Sequence, residues 1–131
     1  MIFIDTNYLL RYFRDDILSQ SLIVKSLFKD AVLGKVKLFS STIVFFEIFW
    51  VVDSFYGNSK KDILEILRNL MSMNFIFFDE REVLMEALLV FENTNLELED
   101  CYNISYSKQN NATGFKTFDK RLNNYLKKQK Q

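Results

Sequence analysis

The chain has no histidine, no proline, one cysteine and three glycines among 131 residues. Each scarcity removes a mechanism. Without histidine there is no Ser-His-Asp triad, no Cys-His pair and no imidazole base. Cys101 alone makes neither an internal disulfide nor a cysteine-rich zinc site. Gly34, Gly57 and Gly114 are too scattered for a dinucleotide loop or a P-loop. No apolar run approaches the roughly 18 residues of a membrane span; Glu47 and Asp53 interrupt the longest stretch. Met1 leads straight into an apolar run ending at Asp5, without the basic n-region or cleavage site of a secretory signal. A cytoplasmic protein is therefore expected, and a single thiol agrees with a reducing compartment. Catalysis, if present, has to run on carboxylates, hydroxyls, amides, Lys and Arg.

The composition that remains, 49% hydrophobic and 26% charged, is that of a globular chain long enough to bury a core. One domain covering residues 1–131 is expected. Net charge is zero, yet unevenly distributed. Eight acidic residues lie between Asp79 and Asp100 against Arg81 alone, and six basic residues follow from Lys116 against Asp119 alone. A basic end attracts phosphate backbones; a solvated terminal helix has the same composition.

Strand and helix patterns alternate. Met1 to Ile4 suits a strand buried on both faces, and Asp5-Thr6-Asn7 favours a helix start. A short helix carries Tyr8, Leu9, Tyr12 and Phe13 up to Asp15-Asp16. A longer one runs from Ile17 to Leu33 and ends at Gly34. Lys37 to Ser40 reads as a second strand. Ser41 or Thr42 caps an apolar helix to about Tyr56, followed by a Gly57-Asn58 turn. Ser59 to about Met73 is amphipathic, with Ile63, Ile66, Leu67 and Leu70 at helical spacing. Asn74 to Phe78 is a third strand, and Asp79 caps a helix to about Phe91. A polar bridge leads to a helix from about Glu99. Ala112 to Thr117 is a fourth strand, and Asp119 starts the last helix. This order predicts an α/β fold: a three-layer α/β/α arrangement around a central parallel sheet of about four to five strands. Ligands of such sheets sit at the carboxyl ends of the strands.

Four carboxylates draw attention there. Asp5 follows the first strand and Asp119 the fourth; each also reads as a helix cap. Asp100 lies at the start of its helix, where Glu97 and Glu99 also complement the helix dipole. Glu47 sits among nine apolar residues from Ile43 to Val52. A buried, unpaired carboxylate there is costly, so it needs either a salt bridge, for which Arg11 and Arg14 are candidates, or a metal ion. With the first strand central, Asp5 and Asp119 leave adjacent strand ends, and all four acids can face one crevice. Their mutual repulsion is relieved by hard divalent cations such as Mg2+ or Mn2+, which activate water and stabilise phosphoryl charge. Phe45, Phe46, Phe49, Trp50 and Phe55 read as core or protein interface.

Phe3-Ile4-Asp5-Thr6-Asn7-Tyr8-Leu9-Leu10, Glu47 in an apolar helix, Asp100-Cys101 and Lys116-Thr117-Phe118-Asp119-Lys120-Arg121-Leu122 together resemble the PIN domain, and within it the VapC-type toxins of toxin–antitoxin systems. The resemblance spans essentially the whole chain. It implies a Mg2+- or Mn2+-dependent endoribonuclease, usually homodimeric, restrained by a cognate antitoxin protein. RNA cleavage would leave 5′-phosphate and 3′-hydroxyl ends. By the same resemblance, Asp5, Asp100 and Asp119 would hold metal, and Glu47 would bind a second ion or orient the attacking water. Asn7 and Thr117 would support these residues, and Lys116, Lys120 and Arg121 would hold RNA phosphates. Cys101 stands where many relatives have Ala, a small residue for close packing, and Arg121 stands near where some carry a further acid. Two other readings use the same residues: a PIN-like protein- or RNA-binding module without catalysis, and an Asp-nucleophile phosphatase, for which Asn7 replaces the usual second acid.

Overall fold

The computed structural model describes residues 1–57 and 59–130. Contacts divide these into two compact units, Met1–Arg81 and Glu82–Gln131. The first holds β1 (Ile2–Phe3), α1 (Thr6–Arg14), α2 (Leu18–Val32), β2 (Leu38–Phe39), α3 (Thr42–Tyr56), α4 (Lys60–Ser72) and β3 (Ile76–Phe77). The second holds α5 (Arg81–Asn93, its first residue at the boundary), α6 (Leu98–Gln109) and α7 (Lys120–Gln129).

The sheet is parallel, as expected, because each pair of strands is joined through helices. Its order is β1-β2-β3, with Ile2 opposite Leu38 and Leu38 opposite Ile76. Ile4 N–H donates to the Phe39 carbonyl at 2.9 Å, extending the ladder one residue past β1. The Ser40 hydroxyl then donates to the Ile4 carbonyl at 2.7 Å. The carboxyl end of β1, the residue before Asp5, is thus tied to the carboxyl end of β2. Ile4, Leu9, Phe45, Ile48, Leu67, Leu70 and Ile76 are buried in this unit.

Two expectations are corrected. β1 is an edge of the described sheet, with β2 central, and Ile2 and Phe3 are 46% and 47% exposed rather than covered on both faces. Among the described residues there are three strands, and 112–117 is not one of them. The cause is local. Asn111, at φ 57°, turns the chain at the end of α6. Its N–H donates to the Lys108 carbonyl at 3.1 Å, and the Ala112 N–H reaches back to Ser107 at 2.9 Å. This double bond pattern is a Schellman cap. The first donor of the expected strand is consumed in closing the helix.

Other boundaries follow from the same chemistry. Asp15, in the left-handed region at φ 51°, ends α1. Gly34, at φ 79°, closes α2 with its own Schellman pair, Gly34 to Ala31 and Lys35 to Asp30. Ser41 caps α3 through the Val44 N–H at 3.3 Å. Gly57 takes φ 57° after α3; Asn58, the other half of the expected turn, lies outside the described residues. α5 begins at Arg81 rather than directly after Asp79. No helix of the described residues is long and apolar enough to cross a membrane.

Candidate functional site

Asp5 is the N-cap of α1: its Oδ1 accepts from the Thr6 N–H at 2.7 Å, and its backbone carbonyl accepts the Tyr8 N–H at 3.1 Å. The cap fixes the side chain at the carboxyl end of β1 and leaves Oδ2 outside these bonds. Thr6 beside it is buried, and its Oγ1 has no hydrogen-bond partner among the described residues. Asn7 is exposed and lines a groove of about 320 Å3 with Tyr8, Arg11 and Gln20.

Glu47 lies in the second turn of α3. Val44, Phe45, Phe46, Ile48 and Phe49 around it are buried. Glu47 itself is half-buried, on the stripe that contains the exposed Ile43 and Trp50, because residues three and four apart share a helix face. The salt-bridge alternative finds no support. Arg11 bonds Gln20 at 2.5 Å and Asp16 at 3.2 Å. Arg14 pairs with Asp16 at 3.4 Å and its guanidinium carbon lies 4.2 Å from the centre of the Phe55 ring. Among the described residues Glu47 has neither a hydrogen-bond nor an ion-pair partner.

In the second unit, Glu97 occupies the N-cap of α6 without a side-chain cap bond, and Glu99 and Asp100 follow in the first turn. Glu99 is exposed and Asp100 half-buried; Asp100 has no hydrogen-bond or ion-pair partner among the described residues. Cys101 is fully buried, which matches its reading as a small packing residue. Asp119 caps α7 through Oδ1, which accepts the Leu122 N–H at 3.0 Å. Its own N–H donates to the Thr117 hydroxyl at 3.1 Å, and the Asn123 amide holds the Thr117 carbonyl at 2.9 Å. Thr117 therefore orients the Asp119 backbone. Lys116, Lys120 and Arg121 are exposed; Arg121 also donates to the Asn95 carbonyl. Phe118 is entirely exposed.

The structure thus realises both cap readings, at Asp5 and Asp119, without using up either carboxylate. Among the described residues it gathers no three acidic, cysteine or histidine side chains into a metal-binding group. By donor chemistry the acids nevertheless suit a hard divalent ion: oxygen ligands, two of them wholly unpartnered and two with an oxygen to spare.

One residue escaped the sequence reading. Arg81 donates to the carbonyls of Met71 (3.0 Å), Met73 (2.9 Å) and Ile76 (2.7 Å), and burial lowers its pKa. It closes the end of α4 onto the start of β3. The available signal was a lone cation in an acidic stretch; its three backbone acceptors carry no side-chain signature.

Comparison with known families places the PIN domain model on residues 2–128. PIN domains are nuclease-type domains that act on nucleic acid and generally use divalent metals. Neither the curated proteins nor the solved structures returned a match.

Proposed function

Because the chain belongs to the PIN domain family, we propose that it is a Mg2+- or Mn2+-dependent endoribonuclease, the VapC-type toxin of a toxin–antitoxin pair. The observation that carries the reading is the family match over 2–128, nearly the whole chain. Glu47 supports it: a carboxylate in an apolar helix, with no cation to neutralise it among the described residues, is suited to a metal or an ordered water.

In this reading residues 1–131 work as one PIN-like domain. Asp5, Asp100 and Asp119 hold the ion, and Glu47 holds a second one or orients the attacking water. When bound, the ion stabilises developing charge on the phosphoryl group and makes water a better nucleophile at neutral pH. The chain's own residues do the rest. The caps at Asp5 and Asp119 fix the two carboxylates by one oxygen each, which reduces the ordering needed when a ligand binds. Thr117 steadies the Asp119 backbone, and the Asn7 amide supplies a polar contact beside Asp5. Lys116, Lys120 and Arg121 hold RNA phosphates. Cleavage leaves 5′-phosphate and 3′-hydroxyl ends. The protein acts in the cytoplasm as a homodimer restrained by its antitoxin.

A second reading has one observation in its favour. Asp5 and Asp119 both serve as helix caps, a structural use they would keep in a PIN-like module that binds protein or RNA without cutting. Expression in a bacterial host separates the two. The parent is expected to arrest growth, Asp5→Asn to permit it, and co-expression of a small neighbouring reading frame to relieve the arrest. Equal growth of parent and variant, both folded, with total RNA unchanged, would favour the binding module.

A further inference from the structure

The second unit contains a cavity of about 450 Å3 lined by Glu86, Lys108, Gly114, Phe115, Tyr125 and Lys130 among others, and neither Asp100 nor Asp119 lines it. The volume falls in the range of small-ligand sites, about 300–1,000 Å3. Gly114 gives the first indication of use. The chain's other two glycines, Gly34 and Gly57, take positive φ, which L side chains rarely adopt. Gly114 lies outside that range, and a Cβ built on it meets nothing within 4 Å. Gly114 lines the cavity, and a side chain there would project into open space. The bare backbone leaves room for a ligand to approach closely.

The lining tells what kind of ligand. Glu86 accepts from Lys108 Nζ at 3.0 Å on Oε1 and from Gln109 Nε2 at 3.3 Å on Oε2. An ionised carboxylate has about four acceptor positions, so two remain. The bond from Lys108 holds the Glu86 pKa below its ordinary value, keeping it charged. Phe115 and Tyr125 offer half-buried rings, and burial pushes the Tyr125 hydroxyl up, so it remains a donor at neutral pH. Lys108 and Lys130 are exposed. Aromatic faces, a carboxylate acceptor and nearby cations are the elements with which proteins hold an unstacked base and its phosphate.

Resting on the ribonuclease reading, we infer that this cavity is a subsite for one guanine nucleotide of the RNA substrate. Guanine presents two adjacent donors, N1–H and N2–H, that match a carboxylate edge. Adenine and cytosine place a ring-nitrogen acceptor against it, and uracil's single N–H is flanked by two carbonyls. The subsite is near Asp100 and Asp119 along the chain but includes neither. Lys108 follows Asp100 by about 12 Å along α6, and Gly114 precedes Asp119 by five residues.

The test uses the full chain in EDTA, so that cleavage plays no part. GMP, AMP, CMP and UMP are titrated in turn, with calorimetry and the backbone amide signal of Gly114 as readouts. GMP is expected to bind and to move that signal, with the others at least tenfold weaker. Gly114→Leu puts a bulky side chain at the cavity lining and meets no neighbour at Cβ, so it is expected to keep the parent melting temperature and lose GMP affinity at least tenfold. Glu86→Gln is expected to abolish the preference for guanine. No response from any nucleotide, or unchanged GMP affinity in a folded Gly114→Leu, would overturn the subsite. Guanine binding in a protein that cuts no RNA with Mn2+ would support the site and remove the ribonuclease reading. Cleavage whose base preference survives Gly114→Leu would do the reverse.

Discussion

Replacing Glu47 with Gln keeps the shape of the side chain and removes its charge, and the two explanations for that charge predict opposite results. In a buried salt bridge, loss of one partner strands the other and costs about 3–5 kcal/mol. Here the two cations that could have served are engaged elsewhere: Arg11 with Gln20 and Asp16, Arg14 with Asp16. No bond is broken, so in EDTA the variant is expected to stay within about 0.5 kcal/mol of the parent. Metal reverses the comparison. A ligand at a hundred times its dissociation constant stabilises the folded state by about 2.7 kcal/mol, roughly 10 °C for a chain of this size. The parent should gain that in millimolar Mn2+, and Glu47→Gln should forfeit much of it. Thermal unfolding followed by circular dichroism, with EDTA and with Mn2+, reads both effects. A loss of 3 kcal/mol or more in EDTA would restore the salt-bridge explanation. An equal gain for both proteins in Mn2+ would take Glu47 out of the metal site.

Arg81→Ala should lower stability by about 2–4 kcal/mol, because three part-buried carbonyls lose a charged donor and water recovers only some of them; a melting temperature within 2 °C or so of the parent would refute this. Lys108 holds the Glu86 pKa below its usual 4.5, while Glu86 raises Lys108 above its usual 10.5. Glu86 therefore adds stability above 4.5 that is lost as pH falls through its folded value. Lys108 adds stability below 10.5 that is lost as pH rises through its folded value. Lys108 is exposed and Glu86 half-buried, so solvent keeps the effect small; the Glu86 carboxylate titrating at or above 4.5 by NMR would contradict it.

Much of the fold was legible because local chemistry and long-range packing agree. The apolar run before Asp5, the caps at Asp5, Ser41 and Asp119, and the stop at Gly34 each have a backbone reason that composition reveals. The fourth strand is not formed because Asn111 takes a left-handed conformation that composition does not announce, and the resulting cap takes the Ala112 donor. Glu47 was legible as an anomaly but not as a position. Its apolar neighbours suggested burial all round, whereas Ile43, Glu47 and Trp50 form a stripe left partly open. Arg81 shows the general limit: a side chain that binds backbone carbonyls leaves no partner to find in the sequence.

The most direct test of the central claim is cleavage of a defined RNA by the purified chain, with the new ends mapped chemically. The account predicts cutting that requires Mg2+ or Mn2+, leaves 5′-phosphates, and falls at least a hundredfold (about 2.7 kcal/mol of barrier) in a folded Asp5→Asn. Cutting that persists in EDTA, or proceeds equally in Asp5→Asn, would contradict it.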